Sequence, residues 1–157
     1  MGACTVGRDL SPDEVLALVP QQAPFRFIDE ISEIDREHIV ASYRFPEDAD
    51  FYRGHFPGNP ITPGVILVEA MAQAGVVAQG LYLYALDFDA EEIEKVVTVF
   101  TDANVDFTGQ VLPGERITTT GRVQFFRRKK LRAEVEMCLD DGTVVCSGVL
   151  SGMGVPL

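Results

Sequence analysis

The chain has 157 residues, of which 13 are Lys or Arg and 24 are Asp or Glu, giving a formal net charge of −11. That length suits one domain, and 46% hydrophobic residues, ten of the chain being Phe, supply a core that a disordered chain would lack. A surface this acidic repels phosphates and anionic headgroups, so neither nucleic acid nor a membrane is expected as a partner of the chain as a whole.

Residues 1–10 read as a flexible extension of a single domain spanning 1–157. The start lacks the apolar stretch of a secretory signal, and Val6 stands where myristoylation needs Ser or Thr, so a cytoplasmic location is expected. Ser11-Pro12-Asp13-Glu14 predicts a helix start, with Ser as N-cap, Pro at the first helical position and Glu three residues after the cap; Pro20 ends it. Strand-like segments follow at 25–34 and 38–45, where His38 reads as an exposed strand histidine. A Gly- and Pro-rich loop fills 54–64, and the longest apolar run covers 64–86. An acidic connection, 87–94, leads to a segment of strand formers at 96–107.

The last third alternates with period two. Ile117, Thr119, Val123 and Phe125 share one face of a strand, and Leu131, Ala133, Val135, Met137 and Leu139 share one face of the next, the pattern of a half-buried antiparallel sheet. Asp141-Gly142 predicts a two-residue hairpin that sets Cys146 opposite Met137 on the core face and turns Cys138 outward. Three cysteines, Cys4, Cys138 and Cys146, make no disulfide scaffold, and free thiols are expected. Between the two strand patterns, Arg127, Arg128, Lys129, Lys130 and Arg132 place five of the 13 basic residues in a window of six. One long apolar helix with several antiparallel strands defines an α+β domain.

The run 64–86 is long enough to raise the question of a membrane span. Glu69, Gln73 and Gln79 inside it argue for a core helix, as do downstream strands that need a cover for their apolar face. Within it Glu69 is the one charged residue, and it sits where water would be stripped from a carboxylate, a setting that favours the neutral acid form. His55 precedes the helix and suits the role of base. Pro63-Gly64 opens the helix, where backbone N–H groups lack partners and can polarise a carbonyl oxygen. A loop histidine or a helix glutamate alone is ordinarily a surface residue. Both beside a helix start suit proton abstraction next to a carbonyl, with loss or gain of a neighbouring hydroxyl.

The stretch Gly54-His55-Phe56-Pro57-Gly58-Asn59-Pro60-Ile61-Thr62-Pro63-Gly64-Val65-Ile66-Leu67-Val68-Glu69-Ala70-Met71-Ala72-Gln73 closely resembles the signature of the β-hydroxyacyl-acyl-carrier-protein dehydratases of FabZ type. Pro24-Phe25 with Ile28-Asp29, Phe107 with Val111-Leu112-Pro113-Gly114-Glu115, and the hairpin 141–146 extend the likeness to roughly residues 16–153. The resemblance implies a hotdog fold, a curved antiparallel sheet wrapped around a long helix. It also implies a homodimer, in some members a trimer of dimers, whose active sites combine His from one subunit with Glu from the other. By that likeness His55 removes the α-proton of a (3R)-3-hydroxyacyl thioester and Glu69 assists departure of the hydroxyl as water. The Gly64 N–H would bind the thioester carbonyl, and Gln73 would orient Glu69. The product is a trans-2-enoyl thioester, made without metal or organic cofactor in fatty-acid or related polyketide and polyene synthesis.

An acyl tunnel lined by Phe51, Phe56, Val65 and Ile66 is expected. The basic cluster, Arg127, Arg128, Lys129, Lys130 and Arg132, reads either as solvated strand ends or as a docking patch for acyl carrier protein, which is acidic and would otherwise be repelled. Many members carry His-Arg where this chain has Gln21-Gln22, and a basic residue at Asp106. Two other readings stand beside the dehydratase: a hotdog acyl thioesterase, told apart by release of free thiol, and a non-catalytic acyl-thioester-binding subunit.

Overall fold

The structure is a computed structural model and describes residues 7–157; Cys4 lies outside them. Helix α1 (Pro12–Leu18) starts as its residues dictate. The Ser11 hydroxyl accepts from the Glu14 N–H at 3.2 Å, and the Glu14 carboxylate accepts from the Ser11 N–H at 3.3 Å. Residues 7–10, expected within a flexible extension, are instead docked: the Arg8 N–H donates to the Ala85 carbonyl at 2.6 Å and Leu10 is buried. Apolar contact and a backbone bond hold them to the end of the central helix.

Strands β1 (Glu30–Ile34) and β2 (His38–Arg44) form a hairpin. The first is shorter than the expected 25–34, because the preceding backbone pairs with a side chain rather than a strand. The Phe27 N–H donates to Gln73 Oε1 at 2.7 Å, and Gln73 Nε2 donates to the Phe25 carbonyl at 2.8 Å.

The central helix α2 (Gly64–Asp87) is α-helical over Gly64–Ala72 and Gln79–Asp87, with wider π-helical turns over Gln73–Ala78. It is apolar and long enough to cross a bilayer, yet the sheet wraps it: Leu67, Ala70, Met71, Ala74 and Ala78 are buried. Two glycines permit close contact. A Cβ on Gly121 would lie 3.0 Å from the Gly75 Cα, and one on Gly75 would lie 2.6 Å from Val135 Cγ2. The acidic segment after it is not a plain connection but a short helix, α3 (Ala90–Glu94). Asp89 caps it, accepting from the Glu92 N–H at 2.9 Å, while Glu92 accepts from the Asp89 N–H at 3.1 Å.

The remaining strands are β3 (Val96–Phe107), β4 (Arg116–Arg127), β5 (Lys130–Leu139) and β6 (Val144–Pro156). Among the described residues, all six strands make one sheet in the order β1-β2-β4-β5-β6-β3, antiparallel throughout. Leu131, Ala133, Val135 and Met137 face the helix and are buried, as their alternation requires. The matching reading of β4 fails at its end. A register shift between Val123 and Phe125 turns Phe125 outward and lets Phe126 pack into the core instead.

The β5–β6 connection also differs from the expected two residues. The Leu139 N–H donates to the Thr143 carbonyl at 2.9 Å and the Gly142 N–H to the Leu139 carbonyl at 2.9 Å. The turn therefore holds Asp140, Asp141 and Gly142, with Gly142 at φ 88°. A shift between Met137 and Cys138 then restores Cys146 opposite Met137. Cys138 and Cys146 are both free; burial pushes the buried Cys146 thiol up to about 12.

Candidate active site

His55 stands in a loop that its own residues shape. Pro57 and Gly58 occupy the centre of a turn closed by the Asn59 N–H donating to the Phe56 carbonyl at 2.9 Å, with Gly58 at φ 73° as a type II turn requires. The Ile61 N–H donates to the His55 carbonyl at 3.0 Å, and His55 Nδ1 lies 2.9 Å from the Ile61 carbonyl oxygen. A carbonyl only accepts, so Nδ1 carries a proton, and in the neutral ring Nε2 holds the lone pair. The Phe56 ring stacks on the imidazole at 4.2 Å between centroids.

Beyond this loop, Tyr52 and Thr62 join through their hydroxyls at 2.6 Å, and Pro63 leads into α2. No side chain caps the helix, so the N–H of Gly64 points out unpaired by its own helix. The Phe107 ring lies 3.2 Å from where a Gly64 Cβ would stand, so a side chain there would have to displace that ring by a few tenths of an ångström.

Glu69 is one turn and a half further along α2. Gln73 Nε2 donates to Glu69 Oε1 at 3.0 Å, while the rest of the Gln73 amide is held by the Phe25 and Phe27 backbone. Gln73 is completely buried, which makes it a fixed arm for the carboxylate. Glu69 itself is only partly buried, so the water-stripped setting expected for it is not supplied by one chain. It opens on a pocket of about 80 Å³ lined by Gln21, Ala72, Val76, Val77, Thr98 and Phe100.

Sequence reasoning missed those lining residues. Ala72, Val76 and Val77 stand three, seven and eight residues after Glu69, a helical-face spacing that could have found them. Thr98 and Phe100, two apart on β3, could be placed only by the fold.

The four residues expected to line an acyl tunnel do not come together. Phe51 and Ile66 line a groove of about 750 Å³ with Phe25, Phe27 and Tyr43. Phe56 and Val65 stand on the surface at 51% and 77% exposure, beside exposed Phe107. Phe51 and Phe56 precede α2, and Val65 and Ile66, adjacent on it, project in different directions. Nor do His55 and Glu69 meet: among the described residues no hydrogen bond or ion pair joins them.

The basic cluster lies at the tip of the β4–β5 hairpin, where Arg127 pairs with Lys130 across a turn of Arg128 and Lys129, both at positive φ. None of the five cations forms an ion pair among the described residues. The Lys129 ammonium stands 5.9 Å from the Tyr84 ring, so the patch sits by the C-terminal end of α2, roughly 30 Å along the helix from Gly64.

His38, expected to be an exposed strand histidine, is partly buried and paired instead. At 28% side-chain exposure, its Nε2 lies 2.8 Å from Glu33 and its Nδ1 3.0 Å from Asp35, and these partners raise its pKa. Among the described residues, no cluster of three or more His, Cys, Asp or Glu is placed to hold a metal.

Solved structures share this architecture. The dehydratase heterocomplex ApeI:P from Xenorhabdus doucetiae superposes with a TM-score of 0.69 at 18% identity, covering 93% of this chain and 92% of that one. A thioesterase from Pseudomonas aeruginosa gives 0.66 at 19% identity, over 96% and 97%. At that identity the likeness shows the fold alone, the hotdog fold.

Sequence comparison goes further. The model of the FabA-like domain matches residues 19–150. The 3-hydroxyacyl-[acyl-carrier-protein] dehydratase FabZ of Streptococcus pyogenes is 33% identical over 141 residues, 88% of this chain and 94% of that protein. Its namesake in Clostridium perfringens is 31% identical over 141 residues, covering 87% and 92%. The chain belongs to the FabA-like family, in its FabZ-type branch, and is an enzyme of the dehydratase class.

Proposed function

We propose that this protein converts (3R)-3-hydroxyacyl thioesters carried on acyl carrier protein into trans-2-enoyl thioesters. The observations that carry the reading are three fixed groups: His55 held through Nδ1 by the Ile61 carbonyl, the Gly64 N–H left unpaired by its own helix, and Glu69 clamped by Gln73, with Glu69 facing the His55 end of a second copy. In this scheme the thioester carbonyl docks on Gly64, which makes the C2 proton acidic. His55 Nε2 takes that proton, and the C–H electron pair becomes the C2–C3 double bond. The C3–O bond breaks as Glu69 gives a proton to the hydroxyl, which leaves as water. The balance needs no redox partner, and the reading includes neither metal nor organic cofactor.

A second copy supplies what one chain lacks. Strand β3 runs from Val96, close to Lys129 and Gly154, to Phe107, close to Gly64. A second copy added antiparallel to this exposed edge lays its His55 end against this chain's Val96 end, beside Thr98 and Phe100 of the Glu69 pocket. The same pairing brings the basic hairpin of one copy next to the His55 end of the other, where a carrier protein would deliver its arm. A homodimer is thus the working unit in this reading, with a trimer of dimers the larger assembly that the family resemblance implies. The setting is cytoplasmic, and the pathway is fatty-acid synthesis or a related polyketide or polyene route.

The test is turnover of 3-hydroxyacyl-acyl carrier protein by purified His55→Ala and Glu69→Gln. Each is expected to lose roughly 10²–10⁴-fold in rate while keeping its melting temperature. Wild-type turnover by either variant, or release of free thiol in place of a new double bond, would overturn the assignment.

A further inference from the structure

The pocket at Glu69 has a floor. Along α2 its walls are Glu69, Ala72 and Val76, and those of a second, smaller cavity of about 20 Å³ are Val76, Gly80 and Tyr84. Thr98 of β3 lines both as well, so Val76 and Thr98 form the boundary between them. The boundary is tight because it closes over bare backbone. A Cβ on Gly152 of β6 would fall 2.5 Å from Val76 Cγ1 and 3.0 Å from Thr98 Cγ2. One turn further on, Gly80 leaves room: outside its own helix, a Cβ there would have only Leu131 Cδ2 within 4 Å, at 3.8 Å. The helix thus lacks the side chain that would fill the second cavity, while the wall in front of that cavity is packed.

We infer that Val76 and Thr98 limit the length of acyl chain this enzyme accepts, the tail running from Glu69 along α2 and stopping against them. The inference rests on the dehydratase reading and narrows its substrate class to shorter 3-hydroxyacyl thioesters. In the dimer the carbonyl lies on Gly64 of the second copy, so what passes Glu69 of this chain is the part of the acyl group beyond C3. That part is hydrocarbon, and Ala72, Val77 and Phe100 give it an apolar lining. Val76 stands seven residues after Glu69, roughly 10 Å along the helix, and this distance bounds the tail. The larger groove at Phe51 and Ile66 shares no lining residue with the pocket and does not continue it. Val76 and Thr98 act by volume alone, and the cavity behind them becomes reachable when either is made smaller.

The experiment measures kcat/KM for 3-hydroxyhexanoyl and 3-hydroxydodecanoyl chains, both carried on acyl carrier protein. The proteins are wild type, Val76→Ala, Thr98→Ala and the double variant Val76→Ala with Gly80→Val. Wild type is expected to favour the shorter chain by about tenfold or more. Val76→Ala and Thr98→Ala are each expected to shift the ratio about tenfold toward the longer chain. The double variant, which returns the lost volume one turn away, is expected to lie within about twofold of wild type. Taking the ratio within each protein cancels any general loss from a loosened core. Equal use of both chains by wild type, an unchanged ratio in the opened variants, or a double variant as permissive as Val76→Ala would each overturn the inference. Thr98 is only partly buried, so Thr98→Ala decides the matter should Val76→Ala fail to fold. Should wild type form no double bond on either chain, the dehydratase reading falls. Calorimetric binding of carrier protein bearing hexanoyl or dodecanoyl chains to wild type and Thr98→Ala then decides the floor separately, a shift toward the longer chain supporting it and no shift overturning it.

Discussion

Gln73 concentrates more of the site than either residue that would do chemistry. One buried amide ties together the Phe25 carbonyl, the Phe27 N–H and the Glu69 carboxylate. Replacing it by Leu keeps the volume but orphans the Phe27 N–H in the core and frees Glu69. Each orphaned buried group costs about 1–3 kcal/mol. Gln73→Leu is therefore expected to lower the urea midpoint clearly and to lower kcat more than it raises KM, measured on the refolded, dimeric variant. The residue types at His55, Glu69 and Gln73 were legible in sequence, since an ionisable pair beside an apolar helix start stands out. Gln73's grip on the 25–27 segment was not, because those partners are more than 45 residues away in the chain.

At the scale of elements, the two hairpins behave differently. In β1–β2, His38 lies between Glu33 and Asp35, and its pKa is raised from 6.5, first by the Glu33 hydrogen bond and then by Asp35, against burial, which lowers it. A raised pKa means the charged form is favoured by folding. The stabilisation is fully present below the unfolded value and is lost as pH rises through the folded one. His38→Gln is expected to destabilise the protein more at pH 5.5–6 than at pH 8.5 in paired urea titrations, the window following from a shift above about 6.5. Asp35 works in the opposite window, its carboxyl lowered chiefly by the Glu37 N–H and further by His38, so its share fades only in acid.

The β4–β5 hairpin carries its five basic residues without ion pairs among the described residues. Changing Arg127, Arg128 and Lys130 to Glu is expected to raise KM for an acyl-carrier-protein substrate severalfold and to leave a pantetheine surrogate nearly unchanged. Equal effects on both would return the cluster to a role in folding. Capping at Ser11-Glu14 and alternation in β5 were readable locally. The Phe125–Phe126 exchange and the three-residue turn at 140–142 were not, because bulges are settled by how two strands twist together.

At the scale of the whole molecule, β3 is an edge of twelve residues left unpaired among the described residues, with Val99, Phe100 and Phe107 exposed. Natural sheets seldom leave such an edge open. Val99→Glu is expected to shift the protein from dimer to monomer at micromolar concentration in ultracentrifugation, with dehydration falling in parallel. A dimeric Val99→Glu variant with full activity would exclude this edge as the interface. The net charge of −11 is likewise a property of the whole that misleads locally, since five cations gather at one hairpin tip and leave 8 basic against 24 acidic residues elsewhere.

The sequence by itself determined the helix starts, the apolar core helix, the alternating strands and the chemical types that the site contains. These are local, because caps, periodicity and motif spacing act through neighbours a few residues apart. Tertiary structure alone decided that Phe56 and Val65 face outward, that Thr98, Phe100 and Gln21 wall the Glu69 pocket, and that residues 7–10 are docked. It also decided that His55 and Glu69 stay apart within one chain. Such facts depend on which strand lies at the edge of the sheet and how closely a glycine-lined helix approaches it, contacts between residues far apart in sequence that no local pattern encodes.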